Sequence, residues 1–278
     1  MRDQHCGRRK NGFKYSTRAL AIPVTYLILF ASLIALISAT YGYAVVKIGA
    51  KGAVLRASVA RQNMLLLDDV IHSVAWSFGA SATVFMDDCG GNFHTFTSAK
   101  NLLINIADGQ MFNETVFNSS IGKVYYELDS SESSYNGQFI KGDARTIINQ
   151  SSFTQTQLYS DTETAKEIVL CYRPSTTIAA VGTYNGKPSN LIRINIINLN
   201  LSQNIMLSGS LRLRITSLNV STSSRLYEFS QQISSLALTS YLDEAASSVW
   251  LPIVSNDEGA AVTLEIFVCN IAVQHAEV

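Results

Sequence analysis

The side chains best suited to chemistry fall in one short segment in the first third of the chain. Asp87, Asp88 and Cys89 precede the Gly90-Gly91 pair, and His94 follows that pair three residues later. Carboxylates and an imidazole this close together could hold a divalent cation. The same segment is rich in the residue types that tight turns prefer, since Asp and Gly tolerate turn conformations. We therefore expect a turn here, and we predict no metal site.

The chain contains none of the common catalytic signatures. It has no phosphate-binding loop, dinucleotide fingerprint, H-E-x-x-H helix or G-x-S-x-G elbow. We expect His72 to be a surface or packing residue of a helix and His275 to lie in a C-terminal tail. A nucleophile, a base and an orienting group cannot be assembled from the sequence. We predict no catalytic residue, no cofactor and no enzyme activity; an anchored hydrolase built on Asp87, Asp88 and His94 is the least favoured alternative.

A long apolar stretch dominates the N-terminal region. Residues 19–46 contain no Asp, Glu, Lys or Arg, and residues 20–46 include thirteen Leu, Ile, Phe or Val. As a helix, residues 20–46 would be about 40 Å long, which exceeds the hydrocarbon core of a bilayer. The stretch therefore predicts one membrane-spanning helix over residues 19–46, with the lipid bilayer as its partner. A cleaved secretory signal is the alternative, although its apolar core is usually much shorter.

The charges on either side of this stretch predict its orientation. Six Lys or Arg residues precede it, and only Asp3 opposes them. The positive-inside rule places residues 1–18 in the cytoplasm as a basic leader, and everything after about Lys47 outside the cell. Beyond residue 18 the chain carries fifteen basic and twenty acidic side chains. Nucleic-acid binding needs a concentrated basic face, so we predict no nucleic-acid partner.

Residues 47–79 are predicted to form an amphipathic helix that continues the membrane span, giving one helix of about sixty residues. No proline interrupts this segment, and Asp68 and Asp69 lie mainly off its apolar stripe. Gly79 is a suitable position for the helix to end. The apolar stripe, which we expect to pack on the following domain, consists of Ile48, Leu55, Val59, Leu66, Val70, Val74 and Phe78.

Residues 80–278 are predicted to form one extracellular β-rich domain. Apolar and polar residues alternate most clearly at 207–215 and 262–268, which indicates strands with one buried and one solvated face. Asn185-Gly186 is the favoured dipeptide of a type I′ hairpin. Residues 226–250 are expected to form a helix that Pro252 ends. The predicted fold class is therefore α+β, with a long N-terminal transmembrane-plus-amphipathic helix packed on a C-terminal antiparallel β-sheet or sandwich.

Three cysteines follow the predicted membrane span: Cys89, Cys171 and Cys269. Disulfides can persist outside the cell. Three thiols allow one bridge with one thiol left over, and the sequence does not choose the pair. Cys6, on the cytoplasmic side, is expected to be a free thiol.

Five N-x-S/T sequons lie beyond the predicted span, and none lies before it. An exposed sequon is a potential glycosylation site in a host that has the pathway. We predict that at least one of the five is modified. The acceptor residues are Asn113, Asn118, Asn149, Asn200 and Asn219.

The first residues combine a basic leader with a distinctive helix start. The leader contains Arg8-Arg9-Lys10, and the segment Arg18-Ala19-Leu20-Ala21-Ile22-Pro23-Val24 opens the uncharged helix. This arrangement resembles the short basic leader and Ala-Ile-x-Pro-Val opening of the type IV pilin-like proteins of archaea, with Ile and Pro adjacent here. The resemblance covers about the first eighty residues in motif and the remainder only in architecture.

The resemblance implies a particular processing and assembly. In that family a prepilin peptidase cuts before the apolar segment, the long helices bundle into a filament core, and β-rich heads face outward. The corresponding candidate cuts in this chain follow Gly12 and Ala19. The implied partners are like or related pilin-type subunits, together with cell-wall or S-layer components.

The sequence therefore favours a structural or assembly role at the archaeal cell surface. The expected function is that of a pilin-like subunit or accessory component of a type IV pilus-like or archaellum-like appendage. The alternative is a membrane-anchored extracellular binding domain, for adhesion or sensing, that does not assemble into a filament. Both alternatives predict a single-pass protein of the cell membrane, with a cytoplasmic N-terminus and an extracellular C-terminal domain.

Overall fold

A computed structural model describes residues 17–109, 112–128, 137–149, 155–161 and 167–276. The described residues form one helix and fourteen strands, and the chain divides into two compact units, Met1–Gly52 and Ala53–Val278. Strand dominates the chain, so the α+β assignment is wrong. The protein is mostly β, with a single N-terminal helix and a β domain of two sheets.

Helix α1 runs from Thr17 to Val74 and contains 58 residues, close to the predicted length. In the part of α1 that belongs to the first compact unit, large apolar side chains such as Leu27 and Phe30 are exposed. This part is long and apolar enough to be a candidate membrane span or signal sequence. The helix ends before the expected Gly79, and Trp76 just beyond it has a left-handed φ of 68°.

Fourteen strands make up the rest of the described fold. They are β1 (Ser81–Met86), β2 (Gly91–Ala107), β3 (Asn113–Leu128), β4 (Phe139–Lys141), β5 (Ile148–Asn149), β6 (Thr156–Ser160), β7 (Glu167–Tyr172), β8 (Ser175–Tyr184), β9 (Lys187–Asn198), β10 (Met206–Ser208), β11 (Leu211–Phe229), β12 (Ser235–Leu242), β13 (Ala245–Pro252) and β14 (Ala260–His275).

These strands form two sheets. The first has the order β1-β11-β14-β9-β8-β5, and the second has the order β13-β12-β2-β3-β7-β6-β4 with β10 also paired to β2. In the first sheet, β14 runs parallel to β9 and β5 runs parallel to β8. The first sheet is therefore mixed, which corrects the expectation of a purely antiparallel sheet.

Two hydrophobic cores lie along the longest strands. The first, which we call the helix-side core, contains buried residues of α1 together with Phe93 of β2 and Ile271 of β14. The second, the distal core, contains Ile104 of β2 and Leu264 of β14 but no residue of α1. The same long strands therefore enter both cores, at successive positions along their length.

Strand β9 shows how one strand serves both cores. Its apolar phase slips from Ile196 to Ile197, which predicts a β-bulge at that point. The pairing with β14 continues there without interruption, and Ile196 packs in the distal core while Ile197 packs in the helix-side core. The bulge prediction is wrong because the slip marks the passage from one core to the other. The register shift instead lies on β8, between Ala180 and Gly182.

The buried face of α1 coincides with the predicted stripe only in part: Val74 is buried, and Val59 and Val70 pack against the helix-side core. Leu55 and Phe78 are exposed, and Leu66 keeps 46% of its surface accessible. Asp68, expected on the polar side, is fully buried. The buried apolar residues recur at steps of four and three, which is the spacing of one helix face. They are Ala60, Met64, Leu67, Ile71 and Val74.

Residues 226–250 form the end of β11 and the hairpin of β12 and β13, so the predicted helix is wrong. Leu236, Leu238 and Leu242 enter the distal core from one face of β12, which is the two-residue period of a strand. Asp243 has a φ of 53° in the two-residue turn that joins β12 to β13. The helix was predicted from apolar residues at irregular spacings, and the predicted helix ran across this turn.

The hairpin at Asn185-Gly186 is confirmed. Tyr184 pairs with Lys187 across the turn, and the φ angles of Asn185 and Gly186 are 50° and 79°. Positive φ at both central residues is the property of a type I′ turn, which matches the twist of the strands that it joins.

Replacing Gly186 by valine is expected to lower the free energy of unfolding by about 1–2 kcal/mol, because an L-residue is strained at positive φ. The new Cβ would also lie 2.7 Å from Glu258 Oε2. Asn185→Gly is the matched control, since glycine adopts the same conformation without strain. Thermal denaturation should separate Gly186→Val from the wild type and from the control. Identical melting of all three would contradict the turn assignment.

Candidate functional site

A buried carboxylate on α1 lies at the centre of a polar cluster. Asp68 is 0% exposed. Tyr172 donates from its hydroxyl to Asp68 Oδ1 over 2.7 Å, and Thr156 Oγ1 donates to the same oxygen over 2.8 Å. Lys141 Nζ lies 2.5 Å from Asp68 Oδ2. Both carboxylate oxygens are therefore bonded and the charge is paired, which is the condition under which a buried charge is tolerated.

The partners of Asp68 come from three neighbouring strands of the second sheet. Lys141 ends β4, Thr156 begins β6, and Tyr172 ends β7. Thr156 and Tyr172 are directly paired across β6 and β7. Directly opposite residues present their side chains on the same face of a sheet, so both hydroxyls can reach one carboxylate oxygen.

His72 completes the cluster from the next turn of α1. Its Nε2 lies 2.9 Å from Thr156 Oγ1 and 3.4 Å from Asp68 Oδ1, and its ring meets Tyr172 edge to face at 5.6 Å. Since the single hydroxyl proton of Thr156 is donated to Asp68, the Thr156 oxygen accepts from His72 Nε2. We call Asp68, His72, Lys141, Thr156 and Tyr172 the Asp68 cluster.

The cluster changes the proton affinity of two of its members. Burial acts to lower the pKa of Lys141, but the hydrogen bond and charge of Asp68 outweigh burial and hold this pKa above its ordinary value. Burial, followed by the charge of Asp68, raises the pKa of Tyr172 well above its ordinary value. Tyr172 therefore stays a neutral donor and Lys141 stays a cation.

We expect the protein to lose stability in alkaline solution. Lys141 and Tyr172 both hold their protons more tightly in the folded chain, so their contribution is complete below the unfolded pKa values of about 10 and is lost as the pH rises above them. Thermal melts between about pH 8 and 11 should show this decline, with a shallower slope in Tyr172→Phe because one titrating group is gone. An unchanged slope in that variant would contradict the assigned role of Tyr172.

A second buried charge fixes the segment that follows Lys141. Arg173 is 0% exposed, and its Nη1 donates to the backbone oxygen of Arg145 over 2.8 Å and lies 2.5 Å from Asp143 Oδ1. Hydrogen bonds from Arg145, and then from Arg173, hold the pKa of Asp143 well below its ordinary value. Gly142 lies so close to β6 that a Cβ there would be 2.1 Å from the backbone oxygen of Thr156. These contacts hold Lys141 in position.

The Asp68 cluster is suited to tie α1 to the second sheet. Asp68, Thr156 and Tyr172 are buried, and their hydrogen-bonding groups bond to one another. His72 and Lys141, with 34% and 31% of their side chains exposed, are the two members that meet solvent. Such an arrangement stabilises a helix–sheet contact.

The residues around Gly90-Gly91 take separate roles. Asp88 Oδ1 accepts a hydrogen bond from Gly90 N over 2.8 Å, as in a turn, and Cys89 is buried in the helix-side core. His94 stacks on Tyr125 at 4.6 Å, with its Nε2 3.5 Å from Glu127 Oε2. Among the residues that the structure describes, no group of three or more His, Cys, Asp or Glu side chains could hold a metal ion.

The three cysteines after α1 are buried free thiols. Cys89 and Cys269 lie in the helix-side core, and Cys171 lies on β7 with its sulfur 3.5 Å from Gln157 Oε1. No disulfide joins them, so the bridge that the sequence permits is not formed. His275, expected in a tail, is instead the last residue of β14 and pairs with Leu213.

The sequons differ in exposure. Asn113, Asn118, Asn149 and Asn219 are exposed, whereas Asn200 is half-buried and its Oδ1 is enclosed. Asn219 Oδ1 also accepts a hydrogen bond of 2.6 Å from Asn270. Glycosylation of these residues stays a prediction. Of the two candidate processing positions, Ala19 lies within α1, and Gly12 lies outside the described residues, as does Cys6.

An open pocket of about 490 Å³ lies at the distal core. The rings of Tyr227 and Phe229 project from one face of β11, and Phe112 meets them edge to face with ring centroids 5.2 and 5.4 Å away. Neither Phe112 nor this stretch of β11 stood out in the sequence as a site. We call this cavity the distal pocket; it is lined by Asp108, Phe112, residues 227–229 and residues 230–233.

No family model matches this chain, and neither a curated protein nor a solved structure matches it.

Proposed function

We propose that the protein is a membrane-anchored structural protein of the archaeal cell surface, a pilin-like subunit or accessory component of a filamentous appendage. In this proposal residues 1–18 face the cytoplasm, residues 19–46 cross the membrane, and the β domain lies outside the cell. The basic leader supports this orientation through the positive-inside rule.

The observation that carries the proposal is the division of α1 into two chemically different parts. Residues 23–46 are uncharged and expose large apolar side chains such as Leu29 and Leu36, which need lipid or other helices around them. Farther along, Leu67 and Ile71 are part of the helix-side core of the β domain. One helix thus combines an anchor or bundle segment with a wall of the folded domain.

The Asp68 cluster supports the same proposal. An ion pair and three further polar contacts hold the buried part of α1 against β4, β6 and β7. In a filament, the helix of each subunit packs against the helices of its neighbours. That helix must therefore stay attached to its own domain. The cluster supplies that attachment in addition to apolar packing.

Leader processing tests the proposal directly. The full chain is expressed in an archaeal host that has a prepilin peptidase, and the membrane and filament fractions are analysed by intact mass and N-terminal sequencing. We expect loss of the residues up to Gly12 or Ala19. Gly12→Val and Ala19→Val should block the respective cut, whereas Gly7→Val and Ala21→Val serve as matched controls. Retention of Met1 in every fraction, filaments included, would overturn the assembly role.

The second candidate is an anchored extracellular binding domain that does not assemble. The distal pocket favours it, because a concave site lined by aromatic rings and a few polar groups is typical of small-molecule binding. This candidate predicts an uncleaved leader and binding activity in the purified chain. The two candidates therefore give opposite results in the processing experiment.

A further inference from the structure

We propose that the distal pocket binds a neutral saccharide. The inference rests on the second candidate function, the anchored binding domain, and names its ligand class. The pocket volume of about 490 Å³ lies within the range of about 300–1,000 Å³ that is usual for ligand sites. Its lining combines aromatic rings with amide and hydroxyl groups, which suits a sugar.

Three aromatic side chains line one wall of the pocket. Tyr227 and Phe229 stand two residues apart on β11, so both rings lie on the same face of the strand. Phe112, Tyr227 and Phe229 are partly buried against the distal core, which leaves part of each ring accessible. The C–H face of a pyranose ring is apolar and flat enough to pack on such rings.

The rim of the pocket carries groups that match hydroxyls. Gln231 and Gln232 are exposed and line the pocket. Each amide offers one carbonyl acceptor and two N–H donors, and a sugar hydroxyl both donates and accepts. Ser230 adds a hydroxyl at the same rim. A purely apolar ligand would leave these groups unused.

The charge of the lining argues against anionic ligands. Among the residues that the structure describes, those that line the pocket include the carboxylates of Asp108 and Glu228 and no Lys or Arg. Lys187 Nζ is 4.0 Å from Glu228 Oε2, so it partly offsets that charge from outside the pocket. A phosphate or nucleotide would meet repulsion here without a paired cation. A neutral ligand avoids that cost.

Both sides of the pocket are held in place by the fold. Asp108 N donates to the Phe112 oxygen over 3.1 Å, and Phe112 N donates to Asp108 Oδ1 over 3.0 Å. On the other side, a Cβ on Gly259 would lie 1.9 Å from the Phe229 oxygen, so glycine permits a close backbone approach there. Ser255 Oγ donates to the Ile233 oxygen over 2.7 Å. A preformed site loses less conformational entropy on binding.

The test measures binding of defined probes to the full chain, solubilised in a detergent without a sugar headgroup. Maltotriose, cellotriose and chitotriose are the saccharide probes, and choline and inorganic phosphate are the comparison probes. Saturation-transfer NMR identifies binding, and isothermal titration measures the affinity. We expect at least one saccharide to bind, with neither choline nor phosphate competing for the site.

Variants locate the binding. The double variant Gln231→Ala/Gln232→Ala and the single variant Phe229→Ala should each weaken the binding about tenfold or more, as expected for lost hydrogen bonds or stacking area. Leu226→Ala is the matched control, because Leu226 is 47% exposed and lies on the opposite face of β11. The glutamine variant changes only exposed residues, so it separates lost binding from lost folding.

Several outcomes would overturn the inference. Saccharide binding that is unchanged in the glutamine variant would place the ligand elsewhere. Choline or phosphate binding in preference to the saccharides would refute the ligand class while leaving a binding role in place. Absence of binding by all five probes would refute the saccharide site, whereas the leader-processing experiment decides independently whether the chain assembles.

Discussion

Replacing Asp68 by alanine is expected to lower the free energy of unfolding by about 3–5 kcal/mol, the usual cost of removing one partner from a buried ion pair. The carboxylate accepts hydrogen bonds from Tyr172 and Thr156 and pairs with Lys141. Without it, two buried hydroxyls lose their acceptor and an ammonium loses its counter-charge. Urea denaturation of the detergent-solubilised full chain measures the loss.

Asp69→Ala is the matched control, because it removes the same atoms one residue later. The Asp69 side chain is 73% exposed, and its carboxylate lies 3.7 Å from the same lysine. Exposed ion pairs contribute little, so this variant should change stability by less than about 1 kcal/mol. Equal effects of the two substitutions would contradict the role assigned to Asp68.

A double-mutant cycle separates the ion pair from the hydroxyl contacts. Lys141→Ala alone should also be clearly destabilising, because it leaves the Asp68 carboxylate, which is 0% exposed, without its counter-charge. The two residues are in direct contact, so the double variant should be more stable than the sum of the single effects predicts. Strictly additive effects would show that Lys141 and Asp68 do not act as a pair.

Local features of this fold were predictable from the sequence. The Asn185-Gly186 turn is set by the backbone preferences of two adjacent residues, and its type followed from them. Strands β1, β7 and β8 were recognisable by short runs of β-forming residues. The apolar segment that opens α1 was recognisable because it contains no charge.

Longer-range features were not predictable in the same way. The residues of β12 and β13 lie on either side of a two-residue turn at Asp243 that has no glycine to mark it. The parallel pairing of β9 with β14 joins segments that are about seventy residues apart, and no local pattern encodes it. The change in apolar phase at Ile197 does reflect the structure, but it marks the start of a second core and not a bulge.

The Asp68 cluster was missed because its members come from four separate elements. Residues 68, 141, 156 and 172 approach one another only when α1 lies against β4, β6 and β7. A carboxylate is ordinarily assigned to solvent, since Asp is seldom buried without a partner. One signal was present: Asp68 follows Met64 by four residues and precedes Ile71 by three, which are positions of one helix face.

The phase of α1 gives the second large expected effect. Leu67→Ala should lower the free energy of unfolding by about 2–5 kcal/mol, the cost of removing a leucine side chain from a packed core. Leu67 is 0% exposed and belongs to the helix-side core, with Met64 and Ile71 on the same face. Its removal opens a cavity that the strands around it cannot fill without moving.

Leu66→Ala provides a control of identical chemistry one residue earlier. The apolar stripe predicted from the sequence contained Leu66 and not Leu67, whereas the structure leaves Leu66 46% exposed. A partly exposed leucine buries less surface, so this substitution should cost less than about half as much as Leu67→Ala. Urea melts of the two variants therefore distinguish the two phases. A larger loss in Leu66→Ala would restore the predicted stripe, and equal small losses would mean that α1 contributes little to the folded domain. The expected ranking, with Leu67 far above Leu66, follows because a rotation of about 100° per residue separates the core from the surface.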